Sequence, residues 1–299
     1  MALGALRFDR GGKTLSQKSK LRRAKCLMAG IAAVPLVSFA TNRATGATTK
    51  WWDINDATAG AGGASPAGTW DEGTTSNWST SSAGSISATT FASGDTAIFS
   101  AGTDATGSFI VTVSGTVNPA LLEAEEGGTI TFTGGTINLT GTGTNIEPGA
   151  LTTANNFIIN SILASPNQIA IVRGSGAGNV VTLGNSNNTF SSGISVSTGN
   201  TLKCQVAGVI PSSNTVVVNG GATFDITSSN ETIGTFTGGG TVALGTKTLT
   251  ITTSAGTGFF NGTDITSTST AGGITIASGI PWGRHFSDGR FAPNVRRCS

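Results

Sequence analysis

Short alternations of apolar and polar residues recur along most of the chain, separated by Gly, Asn and Ser. Period-2 alternation predicts β-strands, because successive side chains of a strand point to opposite faces. The intervening Gly and Asn predict turns, since both tolerate left-handed backbone. The candidate strands are 108–113, 129–132, 136–140, 156–160, 168–172, 179–183, 194–197, 200–206, 215–218, 222–226, 232–236, 241–244, 247–252 and 274–277. Only the run 121–126 resembles a helix, and Gly127-Gly128 stops it within two turns.

An internal repeat predicts how these strands are arranged. The sequence Thr-Phe-Thr-Gly-Gly-Thr-Ile-Asn-Leu at 131–139 recurs at 235–244 with one extra Gly. The separation of Phe132 from Phe236 fits five turns of about 21 residues in a three-strand coil. We therefore expect a right-handed parallel β-helix, with a β-sandwich as the alternative. Asn side chains at the corners are expected to form amide ladders: Asn185, Asn187, Asn188, Asn200, Asn214, Asn219 and Asn230.

Four of the five Trp residues lie between positions 51 and 78, namely Trp51, Trp52, Trp70 and Trp78. Since the first turn of a solenoid has no neighbour to cover it, bulky aromatic residues near one end indicate a cap. The alternative is a platform on which these four side chains stack against sugar rings. We assign residues 48–107 to the cap and residues 108–280 to the β-helix repeats.

Residues 1–47 have the pattern of an export signal. A basic run at 18–25 precedes the apolar stretch 26–40, which is shorter than the roughly 20 residues that a membrane span needs. Small residues precede two candidate cleavage sites, after Ala40 and after Ala47. We expect removal of this signal to leave an exported protein with no membrane span.

Residues 281–299 differ in composition from the repeats. They contain four Arg, the single His of the chain and Cys298. We interpret this basic tail as the product of a frameshift or truncation, or as a short disordered extension.

Charge and cysteine content limit which partners and cross-links are expected. Residues 51–280 hold three basic and 13 acidic residues, a net charge of −10 (3 minus 13). An acidic body repels phosphate backbones, so no nucleic-acid partner is expected. Cys26 falls in the signal, and Cys204 and Cys298 are far apart in sequence, so no disulfide is expected.

The body lacks the residues that most catalytic sites need. The only histidine, His285, lies in the tail, which excludes a histidine-based triad in the repeats. The segment Gly174–Gly178 lacks the strand and helix of a phosphate-binding loop. Asp95 and Asp104 could hold a cation, but no ligand pattern supports one. The carboxylates are mostly isolated: Asp71-Glu72, Glu123-Glu125-Glu126, Glu147, Asp225, Glu231 and Asp264. Asp225 and Glu231 could share a face across adjacent strands, but each is expected in a solvated turn, as is the run 123–126. We predict no catalytic, cofactor or metal residues and no cofactor.

One stretch carries a family resemblance. Residues 188–202, with Thr-Phe-Ser-Ser-Gly-Ile followed by Gly-Asn-Thr-Leu, resemble the autotransporter-associated β-strand repeat of bacteria, also called the passenger-associated transport repeat. Segments 209–226 and 231–245 resemble the next units, and Ser192 replaces the first Gly of the motif. The resemblance implies a cell-surface or secreted β-helical passenger. No barrel or anchor pattern follows residue 280, so the resemblance does not by itself imply self-transport or surface anchoring.

Three functions follow from these observations. The first is a structural or surface-display role without catalysis. The second is an adhesin that binds a glycan or a cell-surface component through the Trp-rich region. The third, a polysaccharide lyase or hydrolase, is the least favoured, because no carboxylate cluster of that kind is present. Uncapped β-helix ends also predict end-to-end self-association.

Overall fold

The computed structural model describes residues 47–126, 128–143, 145–149, 155–172, 178–252, 264–266, 272–276 and 295–297. These residues are all-β, and no helix among them is long and apolar enough to cross a membrane. The export signal lies outside the described residues, apart from Ala47 at its end. So does the basic tail, apart from one strand.

Strands, numbered β1 to β25 along the chain, form four sheets. The first sheet contains β1 (Thr49–Trp52), β3 (Trp78–Ser79), β4 (Thr96–Phe99), β7 (Leu121–Ala124), β10 (Asn145–Pro148), β13 (Ile169–Ile171), β15 (Ile194–Val196), β17 (Thr215–Val218) and β20 (Thr235–Gly238). The second contains β2 (Gly68–Trp70), β5 (Phe109–Val113), β8 (Gly128–Thr133), β11 (Asn155–Ile159), β14 (Asn179–Leu183), β16 (Asn200–Cys204), β18 (Thr223–Asp225), β21 (Thr241–Ala243) and β23 (Asp264–Thr266).

Two shorter sheets complete the fold. The third contains β6 (Thr116–Val117), β9 (Thr136–Asn138) and β12 (Ile162–Ala164). The fourth contains β19 (Glu231–Ile233), β22 (Thr248–Ile251), β24 (Gly273–Ile276) and β25 (Val295–Arg297). The strand β25 comes from the segment assigned to the basic tail, and it pairs in parallel with β24.

The fold is a β-solenoid, as the sequence predicts. Within the described strands, each long sheet is built by parallel pairing of successive turns, which excludes the β-sandwich alternative. Ile146 is the Cα partner of Ile171 on the following turn, and Val218 is the Cα partner of Gly238. These spacings confirm the expected turn length of about 20–25 residues.

The core is made of side chains that stack turn on turn. In the second sheet one inward column is buried from β5 to β21, and each member is the Cα partner of the next: Phe109, Ile130, Phe157, Val181, Leu202, Phe224 and Val242. The first sheet has a matching buried column of Ala97, Leu122, Ile146, Ile171, Val196 and Val218. Burial of these columns supplies the main hydrophobic stabilisation of the fold.

Two sequence predictions about strands were wrong. The run 121–126 is not helical, because Leu121–Ala124 is strand β7, with Leu122 and Ala124 facing the core. The candidate strand 232–236 is divided at Gly234, where the chain passes from the fourth sheet to the first. A Cβ on Gly234 would lie 2.4 Å from the Ser213 carbonyl oxygen, so this tight corner requires glycine.

Amide ladders do form at the corners, although not with all the expected residues. The Asn188 side chain accepts from Leu163 N (2.8 Å) and donates to the Val209 carbonyl (2.8 Å). The Asn214 side chain donates to the Phe190 carbonyl (2.7 Å). Asn155 and Asn179, which the sequence did not single out, extend a buried ladder to Asn200. These bonds satisfy buried polar groups between turns.

Candidate functional site

The Trp-rich segment closes one end of the solenoid. Strand β3 pairs antiparallel with β1, so that Trp52 lies opposite Trp78. Strands β1 and β2 also continue the parallel sheets, pairing with β4 and β5. The segment expected to be a cap thus contains both an antiparallel closing strand and the first strands of the two long sheets.

Three of the four Trp side chains are in the core. Trp52, Trp70 and Trp78 are each 0% exposed. The ring centroids of Trp52 and Trp78 are 5.2 Å apart, and those of Trp78 and Phe91 are 4.8 Å apart. The indole N–H of Trp52 donates to the Pro66 carbonyl at 2.7 Å. These three rings therefore pack against other aromatic rings and present no face to a sugar in this structure.

Trp51 differs from the other three. It lies on the opposite face of β1 and is only half-buried, in register with Ile98. Ile98 is in turn the partner of Glu123, which pairs with Glu147 on the following turn. Of the four residues considered for sugar stacking, Trp51 alone is partly accessible.

Several carboxylates accept hydrogen bonds from the backbone of distant turns. Asp104 accepts from the amides of Ala61 and Gly63, both at 2.7 Å. Asp95 accepts from the Thr48 and Ala92 amides, each at 3.1 Å. These two residues, considered as cation ligands from the sequence, thus hold separate segments of the cap region together.

The acidic run after β7 is less solvated than expected. Glu126 accepts from the backbone amide and the hydroxyl of Ser100, at 2.9 and 3.0 Å. Burial raises the pKa of Glu126 to about 7 and also raises the pKa of Glu125. The expectation of a solvated turn was wrong for these residues, because they pack against the preceding turn.

The pKa of Asp71 is shifted in the opposite direction, below its usual value. Its carboxylate accepts from the Thr75 amide at 2.8 Å and from the Thr75 hydroxyl at 2.7 Å. Partial burial raises the pKa of Asp71, but the hydrogen bonds from Thr75 and Thr74 outweigh it and leave the pKa below its usual value. This carboxylate is therefore held ionised by its own turn.

Among the repeat residues whose side chains the structure describes, Glu231 has the most deeply buried carboxylate. It is 1% exposed and faces the core from β19. Its oxygens accept from the amides of Gly208 and Ile210, both at 3.1 Å. Burial nevertheless raises the pKa of Glu231 to about 7. The expectation that Glu231 lies in a solvated turn was wrong.

Glu231 and Asp225 do not share a face, although the sequence allowed it. Asp225 lies on the outer side of β18, with Oδ2 3.9 Å from Nζ of Lys203 on the preceding turn. Glu231 points inward from a different sheet. The sequence did contain a signal for the burial of Glu231. Ile233 lies two residues later, and residues two apart in a strand point to the same face, so an inward Ile233 predicts an inward Glu231.

The remaining sequence candidates add no reactive cluster. Cys204 is a buried free thiol whose pKa is raised by burial and by the nearby charges of Glu231 and Asp225. In the described part of the chain, no three His, Cys, Asp or Glu side chains are grouped so that they could hold a metal ion. His285, Cys26, Cys298 and residues 174–177 lie outside the described residues.

No family model, curated protein or solved structure matches the chain.

Proposed function

We propose that the chain is an exported bacterial β-solenoid of the passenger type, with a structural or surface-display role and no catalysis. The observation that carries this proposal is the continuous inward column of the second sheet. It is buried and in register from Phe109 to Val242. Such a column favours a rigid spacer, since each added turn extends the same core without a new folding unit.

The placement of polar groups supports the same role. Glu231, Asp104 and Asp95 accept backbone N–H groups from other turns, and each of these bonds stabilises a corner or a loop. These hydrogen bonds connect separate segments of the fold, and they give each of the three carboxyl groups a structural role that needs no substrate.

Export is proposed from the sequence of residues 1–47. Expression of the full chain in a bacterium, followed by fractionation and mass spectrometry of the N-terminus, tests it. We expect cleavage after Ala40 or Ala47, and we expect Leu36→Asp to block processing, because a charge interrupts the apolar stretch. An uncut wild-type chain that stays in the cytoplasm would contradict export.

An adhesin role stays the second candidate, and partial exposure of Trp51 is the observation that favours it. A glycan array probed with the folded protein separates the two roles. A structural protein gives no hits. An adhesin gives hits that Trp51→Ala removes, whereas the surface change Ile110→Ala leaves them unchanged, because Ile110 lies on another sheet.

A further inference from the structure

A loop at the end of β1 gathers oxygen atoms. Asp53 directly follows β1, and its amide donates to the Asn77 carbonyl at 3.0 Å. The loop is closed by a bond of 3.1 Å from Ile54 N to the Ala61 carbonyl. Within it, the Asn55 amide donates to Asp53 Oδ1 at 3.1 Å, forming an Asx turn. This turn fixes the Asp53 and Asn55 side chains two residues apart at the start of the loop.

Two acceptor oxygens of this turn are buried and lack a donor among the described residues. One is Oδ2 of Asp53, a residue that is 0% exposed. The other is Oδ1 of Asn55. Burying a carboxylate oxygen without a partner is costly, so a group that supplies positive charge there would stabilise the fold.

The surroundings are negative. The charges of Asp56 and Asp104 both act on Asp53, and Asp104 holds the far side of the same loop through Ala61 and Gly63. In the part of the chain that the structure describes, the one ion pair is Lys203–Asp225, so no lysine or arginine neutralises Asp53 within 4.0 Å.

We propose that this loop binds a divalent cation, Ca²⁺, through Oδ2 of Asp53 and Oδ1 of Asn55, with the Asp104 and Asp56 carboxylates supplying further negative charge. Ca²⁺ takes 6–8 oxygen ligands and accepts amide, carbonyl and water oxygens as well as carboxylates. Such a site does not require three grouped His, Cys, Asp or Glu side chains.

Two properties of the loop fit this cation. All its candidate side-chain ligands are hard oxygens, which favour Ca²⁺ or Mg²⁺ over softer metals. The loop is irregular, and Ca²⁺ tolerates irregular geometry whereas Mg²⁺ demands a near-ideal octahedron. The role is structural: the ion would fix the loop against Asp104 and so secure the closed end of the solenoid.

Calcium titration of the full chain after treatment with EDTA tests the proposal. We expect CaCl₂ to give binding heat in calorimetry and to raise the Tm by a few degrees, with MgCl₂ much less effective. Asp53→Asn and Asn55→Ala should each weaken Ca²⁺ binding at least tenfold. Asn55→Asp should preserve binding, because it keeps an oxygen at the same position.

Asp225→Asn is the matched control, since it removes a carboxylate from the solenoid far from this loop in sequence, and it should bind Ca²⁺ like the wild type. Two results would overturn the proposal. One is a wild-type protein with the same Tm in EDTA and in CaCl₂ and no binding heat. The other is unchanged affinity in both Asp53→Asn and Asn55→Ala. Circular dichroism of each variant in EDTA establishes that it is folded before the titration.

Discussion

The side-chain amide of Asn179 donates a hydrogen bond of 3.3 Å to the side-chain carbonyl of Asn200 on the next turn. On the other side, Oδ1 of Asn179 accepts from the backbone amide of Asn155 at 3.1 Å. All three residues occupy the first position of their strands and are buried. Asn179 thus connects three consecutive turns through one side chain.

Replacing Asn179 with alanine should destabilise the protein by about 1–3 kcal/mol, because buried partners on both neighbouring turns lose their hydrogen bonds. Urea unfolding measures the change. Asn187→Ala is the matched control, since Asn187 is exposed, and it should change the free energy of unfolding by less than about 0.5 kcal/mol. Equal effects of the two substitutions would show that the ladder contributes no stability.

Phe132 joins the aromatic cap to the core of the turns. Its ring centroid is 5.1 Å from that of Phe99 and 5.5 Å from that of Phe157, and its side chain is fully buried. Phe132→Ala should cost about 3–5 kcal/mol through lost burial and a cavity. Ile110→Ala, at a position that is 52% exposed, should have little effect. A small loss for Phe132→Ala in thermal or urea unfolding would contradict the packing described for this junction.

Gly84 and Gly73 form a matched pair of glycines. Both have a positive φ, +62° and +77°, so alanine at either position should cost about 1–2 kcal/mol. A Cβ on Gly84 would also lie 2.3 Å from the Gly60 carbonyl oxygen, whereas a Cβ on Gly73 would meet nothing within 4 Å. Gly84→Ala should therefore lower the Tm further, by an added cost of about 1–3 kcal/mol. Equal Tm values for the two variants would disprove this close approach.

Glu231 should make stability depend on pH. Its pKa rises from 4.5 to about 7 on burial, so between these values the folded state keeps a proton that the unfolded chain has released. The free energy of unfolding therefore falls as the pH rises through this window, by up to about 3 kcal/mol from this group. Glu126 contributes a change of the same sign, because burial raises its pKa to about 7 as well.

Glu231→Gln isolates the contribution of Glu231, since the amide cannot ionise. As the pH rises from about 4.5 to about 7.5, we expect the free energy of unfolding of the wild type to fall relative to that of the variant. Urea unfolding at several pH values measures it. Parallel curves for the two proteins would mean that Glu231 does not titrate differently in the folded and unfolded states.

Most strands could be predicted from the sequence because the same local pattern of apolar and polar residues recurs in each turn. Period-2 alternation with flanking Gly or Asn located strands such as 179–183 and 215–218 with the bounds that the structure gives. The parallel arrangement followed from the length of the internal repeat. What alternation could not show is which sheet a given strand joins, because that depends on how much chain is used at each corner.

The two copies of the internal repeat illustrate this limit. Phe132 lies in β8 of the second sheet, whereas Phe236 lies in β20 of the first. The equivalence assumed for these residues was wrong, although the turn length derived from it was close. Turn lengths vary along the chain, so the same short motif reaches a different sheet. Local sequence similarity therefore predicts a strand–turn–strand unit, but it does not predict which sheet of the solenoid that unit joins.

The polar residues of the cap and corners were harder to predict. Sequence could suggest that Trp side chains form a cap, and three of the four are indeed buried. Nothing local indicated that Asp104 would hold a loop from a much earlier part of the chain. Such contacts arise from the stacking of turns, and only the three-dimensional arrangement brings the partners together.

The antiparallel pairing of β3 with β1 gives the solenoid a direction of growth. Because β3 covers the outer edge of β1, the first sheet can be extended by parallel pairing only on its other side. Synthesis reaches the closed side before the turns that follow it, so each new turn emerges beside a completed one whose open edge serves as its template. The solenoid can then assemble turn by turn in the order of translation. A chain that passes through a narrow opening would therefore not need to be complete before it starts to fold.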